Sequence, residues 1–248
     1  MLTLNQMIGQ IYEGLNINTD DTVLEERYLI DLINQARAFH LRNELNKFRT
    51  ADDTVIQNLP CVDLVIADAT LVPGLSLPSG CKLLKSKNRL PDTIELHHTD
   101  GIVSVGSVQF LNIPFSYVDF KKVPYLGYSR YTQNVVYSFL LDGYLYLYSH
   151  GNSKYALMET VMVRGIFEDP TQAANYCDLE GQPCFNYDSP YPIASWMFEV
   201  AVKPQVMQQV AMKLQQPIDM DNDGNDDKVK LGLTAAPNVQ QQSQQPQE

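Results

Sequence analysis

A chain of 248 residues is long enough to bury one substantial core. Its content of 44% hydrophobic and 19% charged residues is typical of a globular protein. The 29 acidic residues outnumber the 18 lysines and arginines, and the resulting formal net charge of −11 argues against groove binding to nucleic acid, which requires basic patches.

Residues 2–47 carry the pattern of two capped helices. Thr3 and Gln6 have the spacing of a capping box, and Gly14 is suited to the position just after the end of the first helix. Thr22 and Glu25 form a second capping box, ahead of a helix of about 25 residues and about 38 Å. Its predicted buried stripe consists of Tyr28, Leu32, Ala36 and Phe39, widened by Leu29 and Ile33. A helix of this length suits either an ordinary core or a contact between subunits, and both interpretations stay open.

From Cys61 onward the chain is rich in β-forming residues. The predicted strands are residues 62–67, 82–85, 93–97, 103–109, 116–120, 135–141, 144–148 and 157–167. Asp142-Gly143 between two of them predicts a hairpin with a type I′ turn. In the second arm Tyr144, Tyr146 and Tyr148 alternate with leucines and share one face, which favours packing or protein contact over nucleic-acid stacking.

His97, His98 and Asp100 come nearest to a catalytic or metal cluster. Neighbouring residues on a strand point to opposite faces, so both imidazoles do not easily ligate one ion. The chain has no H-E-x-x-H, nucleophile elbow, G-x-G-x-x-G or Walker loop. We therefore predict that the protein is not an enzyme and has no catalytic residue.

Helical pattern returns at Ser189-Pro190-Tyr191-Pro192, which has the composition of a helix start. Ile193, Met197, Val200 and Ala201 form the predicted apolar stripe, with Trp196 beside it. Trp196 either joins the core or anchors an interface. Because proline does not fit inside a helix, we expect a break at Pro204 and a second helix over residues 205–215.

An acidic run follows, and Asp219, Asp221 and Asp223 match the first half of an EF-hand loop. The match fails at its twelfth position, where Lys230 replaces the required glutamate. The run is therefore either a weak Ca²⁺ site, completed by another group, or a solvated acidic linker. No other cofactor is predicted. Residues 237–248 are of polar low complexity and are predicted to be disordered when alone.

The four cysteines, Cys61, Cys81, Cys177 and Cys184, are too few and too scattered to indicate a disulfide framework, and none forms a C-x-x-C motif. We expect ordinary reduced thiols. No apolar run approaches the roughly 20 residues of a membrane span, and the first ten residues lack the features of a signal peptide. These observations predict synthesis in a cytoplasm and no membrane partner.

The expected fold class is α+β, in which N- and C-terminal helices form a bundle, an antiparallel β-rich domain is inserted between them, and a disordered or extended tail follows. The corresponding boundaries are 1–58 for the N-terminal helices, 59–188 for the β-rich domain, 189–216 for the C-terminal helices and 217–248 for the tail.

Three segments carry a resemblance to a known family. They read LTLNQMIGQIYEGLNINTDDTVLEERYLIDLINQARAFHLRNEL (2–45), VRGIFEDP (163–170) and YPIASWMFEVAVK (191–203). They resemble the head-to-tail connector proteins of tailed bacteriophages, and are most similar to the adaptor or ring proteins of short-tailed phages, including the crAss-like group.

The resemblance implies a structural virion protein at the head–tail junction. Copies would form a closed ring, with twelve as the expected number, between the portal protein and neighbouring tail or ring proteins. The ring would continue the channel through which phage DNA passes. As partner-binding residues we single out Trp196 and, in the tail, Pro217, Ile218, Leu231 and Leu233.

Two other classes remain as alternatives. A monomeric β-rich carbohydrate-binding module would use the tyrosine face as its platform. A metal-dependent hydrolase would use His97, His98 or Asp100 and would require converging carboxylates in a pocket.

Overall fold

The computed structural model describes residues 2–15, 25–48, 52–68, 70, 72, 75, 82–97, 100–108, 113–177 and 186–215. Its helices and its large sheet confirm the α+β class. The chain divides into two compact units, residues 1–207 and residues 208–248, and the described part of the second unit, 208–215, is helical. Among the described helices none combines the length and the apolar character needed to cross a membrane.

The first helix, α1 (Leu4–Leu15), begins at the predicted capping box. The Gln6 backbone N–H donates to Thr3 Oγ1 (3.2 Å), and the Thr3 N–H donates to Gln6 Oε1 (3.1 Å). The predicted end at Gly14 is wrong, because the helix continues through this residue. Gly14 faces Met207, and a Cβ at this position would lie 2.7 Å from Met207 Cε. The glycine therefore permits a close approach to Met207 and does not cap the helix.

The second helix, α2 (Glu26–Phe48), confirms the long helix and contacts α1. Leu29, Leu32, Ile33 and Ala36 are buried as predicted, but Phe39 is exposed. Two polar residues that lie between the predicted apolar positions, Asn34 and Arg37, are buried as well. The predicted cap residue Thr22 lies outside the described residues.

The seven described strands are β1 (Gln57–Ala67), β2 (Leu83–Ser86), β3 (Ile102–Ser107), β4 (Phe115–Tyr117), β5 (Val136–Leu141), β6 (Tyr144–Tyr148) and β7 (Thr160–Gly165). They form one sheet in the order β3-β7-β1-β2-β6-β5-β4. The β4–β5 pair is parallel and the other neighbouring pairs are antiparallel. The two outer strands, β3 and β4, contact each other, so the sheet curls.

The strand predicted at residues 93–97 is wrong. Thr93 and Glu95 form only isolated bridges, to Phe167 and Asp100 respectively. Two short bridges do not provide the continuous ladder of paired backbone groups that a strand requires.

The predicted hairpin is confirmed. Asp142 and Gly143 connect β5 to β6 with φ angles of 53° and 78°. Two successive positive φ angles define a type I′ turn, whose twist matches that of the flanking strands. This turn fixes the register in which Tyr144 lies opposite Leu141.

The register of the hairpin places tyrosines and leucines in two different cores. Leu145 and Leu147 join an aliphatic core on one face of the sheet, while Tyr146 and Tyr148 are buried on the other. There the Tyr137 and Tyr148 rings stack at 5.5 Å, and the Phe139 and Tyr146 rings at 5.4 Å. The packing interpretation of the tyrosines is therefore confirmed. The carbohydrate platform is wrong, because Tyr146 and Tyr148 have no exposed face to offer a sugar.

After β7 the chain forms α3 (Pro170–Asn175), which the sequence analysis missed. Asp169 caps it by accepting hydrogen bonds from the backbone N–H (2.9 Å) and hydroxyl (2.7 Å) of Thr171. The last helical stretch begins with α4 (Ser195–Met197), continues through a π-helical turn (Phe198–Val202) and ends with α5 (Lys203–Gln215). The π-helical turn contacts α2.

A disulfide joins Cys61 of β1 to Cys177, just after α3. The expectation that these two cysteines are reduced is therefore wrong. They are 116 residues apart in sequence, but α3 packs against β1 and brings their Cα atoms to 5.6 Å. Spacing along the chain does not reveal such a pairing. Cys81 and Cys184 lie outside the described residues.

Replacing Cys61 and Cys177 together with serine should destabilise the protein, because the disulfide closes a long loop in the unfolded chain. The chain-entropy relation gives about 5 kcal/mol for a loop of this length. Chemical denaturation should show this loss, and a reductant should destabilise the native protein but not the double variant. Peptide mapping without reductant that finds no link between the Cys61 and Cys177 peptides would contradict the assignment.

Candidate interaction surface

One face of the C-terminal helical stretch exposes two large apolar side chains, Trp196 and Val200. They are 56% and 73% exposed, respectively. On the opposite side the helix buries Met197, Phe198, Val202 and Val206. The inner side of the helix already packs on the core, and the exposed pair adds nothing to that packing. This pair is therefore a candidate contact with another molecule.

The π-helical turn explains why Val200 faces outward and why Pro204 does not break the helix. The Lys203 N–H donates to the carbonyl of Phe198, five residues back. Pro204 has no N–H to continue an α-helical ladder, and the wider turn accommodates it. One extra residue in a turn rotates the following residues by about 100° about the helix axis. The predicted stripe therefore fails at Val200, and Val202 takes the buried position.

A buried arginine fixes the start of this helical stretch. Arg37 of α2 is fully buried, and its Nε donates to the carbonyl of Pro192 (2.7 Å) while Nη1 donates to the carbonyl of Phe167 (2.8 Å). The guanidinium also lies over the Tyr191 ring, 5.8 Å from its centroid. One side chain thus connects α2, the end of β7 and the segment that leads into α4.

The polar groups around Arg37 form a continuous hydrogen-bonded cluster. Asn34 donates to Asp169 Oδ1 (3.0 Å) and accepts from the Tyr191 hydroxyl. Burial lowers the pKa of Arg37, and the nearby Tyr191 and Asp169 oppose this shift. Burial also raises the pKa of Tyr191, so its hydroxyl stays protonated and donates. These bonds pair most of the buried polar groups, which would otherwise be costly to bury, while Arg37 Nη2 has no hydrogen-bond partner among the described residues.

One further contact joins α2 to the C-terminal helical stretch, and another joins it to the segment that follows β7. His40 Nε2 and Gln205 Oε1 are hydrogen-bonded at 2.7 Å. Arg42 forms an ion pair with Glu168, also at 2.7 Å, with both side chains partly exposed. The orientation of Trp196 and Val200 is thus set by packing below the helix and by polar contacts at its start.

The model of the phage tail ring protein 2 family matches residues 6–228 of this sequence. The chain belongs to this family. It is also similar to Ring protein 2 of Bacteroides phage crAss001, with 29% identity over 236 residues, which covers 91% of this chain and 98% of that protein. The resemblance to phage ring proteins of the crAss-like group is thereby confirmed.

The structure of this ring protein places only one predicted partner-binding residue, Trp196, and places it at the surface. The predicted tail contacts, Pro217, Ile218, Leu231 and Leu233, lie outside the described residues. The same holds for the predicted Ca²⁺ ligands Asp219, Asp221 and Asp223. These remain predictions.

The residues of the hydrolase alternative do not converge where the structure describes them. His97 is exposed and its backbone N–H donates to Asn46 Oδ1 (3.0 Å), while His98 lies outside the described residues. Asp100 accepts a hydrogen bond from the Tyr117 hydroxyl (2.6 Å). Within the described ranges no three His, Cys, Asp or Glu residues are grouped to hold a metal ion.

Sequence reasoning missed Arg37 and Asn34 as the residues that position the candidate face. Both lie between the predicted apolar positions of α2, and the sequence pattern gave Arg37 and Asn34 no role in the core. The sequence does contain one indication of this role. Asn34 and Arg37 are three positions apart, which places two hydrogen-bonding side chains on the same side of a helix.

Replacing Arg37 with methionine should lower the free energy of unfolding by about 3 kcal/mol or more. The change leaves the carbonyls of Pro192 and Phe167 without their donors in a buried place. The matched control is Arg89→Met, which removes an exposed ion pair with Asp92 and should cost less than about 1 kcal/mol. Urea denaturation measures both. Equal losses of unfolding free energy in the two variants would show that Arg37 does not hold α2 to the segments that contain Phe167 and Pro192.

Proposed function

We propose that copies of this chain form a closed ring between the portal and the tail of the virion. The ring would continue the DNA channel and offer a docking surface to tail components. The observation that carries this proposal is the match of the family model over residues 6–228, nearly the whole chain. The name of the similar crAss001 protein, Ring protein 2, supports assembly into a ring.

Ring closure requires a heterologous contact, in which one patch of each copy meets a different patch of the next. We assign Trp196 and Val200 to one side of that contact. Tryptophan is prominent among the residues that dominate binding energy, and it does so when neighbouring contacts exclude water from it. The helix that carries the pair is packed on its inner side and already ordered. Little conformational entropy is therefore lost on association.

The helices at the two ends of the sequence form the frame of the proposed subunit. α2 contacts α1 and the π-helical turn, which supports the proposed bundle around the inserted sheet. In this proposal residues 217–248 extend toward the portal, with Pro217, Ile218, Leu231 and Leu233 as apolar contacts. A tail too polar to form a core can order on a partner surface.

The net charge of −11 supports the channel role, because acidic residues facing the lumen would repel the phosphates of passing DNA. No bond-making chemistry is needed for any of these tasks. We accordingly propose a purely structural role.

Changing Trp196 and Val200 to glutamate should prevent ring formation without unfolding the subunit, since both side chains are exposed. Loss of an interface anchor typically costs about 2 kcal/mol or more in binding. Mass photometry and negative-stain electron microscopy should show rings for the native chain and subunits for the double variant.

The matched control is Leu157→Glu together with Ile66→Glu, which places the same two charges at exposed apolar residues elsewhere. It should leave the rings intact. If the native chain forms no ring alone or with a portal protein, the proposal fails. If the Trp196 and Val200 variant forms rings as readily as the control, the ring contact lies on another face.

A further inference from the structure

A basic and aromatic patch stands out on this acidic protein. We define the Tyr-Lys patch as Lys121, Lys122, Tyr125, Arg130 and Tyr131. Residues 120–141 contain these three cations and no acidic residue, whereas the whole chain carries a net charge of −11. The segment is therefore a local positive region on a protein of opposite overall charge.

The side chains of the patch are directed to the surface. Tyr125 is 82% exposed and Tyr131 is 89% exposed, and the three cations are exposed as well. Within the described residues Lys121, Lys122 and Arg130 take part in no ion pair. Tyrosine and arginine are enriched at protein interfaces, and lysine and arginine attract carboxylates.

The backbone beneath the patch is held firmly on its first side. A short 3₁₀ helix (Phe120–Tyr125) starts where Asp119 Oδ1 accepts the Lys121 backbone N–H (3.1 Å). Val123 within it is buried, and its carbonyl accepts a hydrogen bond from the Tyr148 hydroxyl (3.0 Å). The patch is thereby joined to the tyrosine core of the sheet.

The second side is held equally well. Gly127 has a φ of 89° and lies so close to His150 that a Cβ would be 2.0 Å from the ring. The carbonyl of Gln133 accepts from the Gly151 N–H (2.7 Å) and from Ser149 Oγ (3.0 Å). An exposed surface on a fixed backbone loses little conformational entropy on binding.

We propose that the Tyr-Lys patch binds the acidic segment Asp219–Asp227 of a neighbouring copy in the ring. This proposal rests on the proposed ring function. The segment reads DMDNDGNDD and carries five aspartates and no cation. Its carboxylates match the two lysines and the guanidinium of Arg130, and the hydroxyls of Tyr125 and Tyr131 are further donors to carboxylate oxygens.

The length of chain supports a contact between copies. Asp227 is the twelfth residue after Gln215, the last described residue, so a span of twelve residues links them. Fully extended, this span reaches about 40 Å. A patch on one copy and a segment from the next form a heterologous pair, which is the type of contact that closes a ring.

DNA is the other polyanion that could meet the patch, and the observations favour it less. Three cations neutralise few phosphates, and such binding weakens steeply with salt. The net charge of −11 on the whole chain adds repulsion of DNA. The acidic segment, in contrast, is covalently part of every neighbouring subunit.

Carbodiimide crosslinking of full-length protein tests the contact directly. Isotopically light and heavy chains are mixed before assembly, and mass spectrometry then identifies links from Lys121 or Lys122 to aspartates of residues 219–227. We expect links that join a light peptide to a heavy one. Rings without such mixed links would overturn this proposal and leave the ring function standing. Mixed links in assemblies that do not close would support the contact and count against the ring. Neither rings nor links would overturn both.

Charge reversal provides a second test by mass photometry. The variant Lys121→Glu, Lys122→Glu, Arg130→Glu should self-associate about tenfold more weakly, since exposed ion pairs are individually weak but three are lost. Adding Asp219→Lys, Asp221→Lys and Asp223→Lys to the same chain should restore association. The control Arg27→Glu, Lys87→Glu, Lys154→Glu changes the charge equally at exposed positions elsewhere and should have no effect.

Failure of the aspartate changes to restore association would overturn the proposal. So would a patch variant that loses binding to a DNA duplex, measured by fluorescence anisotropy, while its self-association is unchanged. That second result would assign the patch to DNA.

Discussion

The arrangement of helices on the sheet depends on one buried cation. Arg37 has no exposed surface, and it donates to backbone carbonyls from two separate parts of the chain, Phe167 and Pro192. A buried guanidinium without partners would be strongly unfavourable, so the backbone must present these carbonyls whenever the helix is packed. Asn34, Tyr191 and Asp169 complete the cluster. This requirement fixes the direction from which the chain enters α4, and with it the side on which Trp196 is exposed.

The sheet provides a different kind of constraint. Its central hairpin buries leucines on one face and tyrosines on the other. The hydroxyl of Tyr148 reaches the carbonyl of Val123 and holds the loop that carries the Tyr-Lys patch. Both proposed interaction surfaces lie outside the strands, one on the C-terminal helical stretch and one at the Tyr-Lys patch.

Local chemistry made some of these features predictable from sequence. The capping box at Thr3 and Gln6 and the turn at Asp142-Gly143 depend on residues that are neighbours in the chain, and both are present. The failures involve residues that meet only after folding. Gly14 resembles a helix end but makes room for Met207, and Cys61 and Cys177 pair across 116 residues.

At the candidate face, too, local features were predictable from sequence and features that depend on the folded structure were not. The presence of a helix after Tyr191 was predictable, but the π-helical turn was not, because it depends on how Pro204 is accommodated. That turn decides that Val200 is exposed and Val202 is buried. Likewise, the exposure of Trp196 follows from the docking of α2 through Arg37, which the apolar pattern of α2 does not reveal. Family membership was recognisable because long stretches of sequence carry it.

The most direct measurement is a cryo-electron microscopy map of the head–tail junction in the intact virion. The account predicts a closed ring built from this chain, in which Trp196 and Val200 of each copy are covered by the neighbouring copy. A junction that lacks the chain would contradict the account, and so would a ring in which these two side chains face solvent.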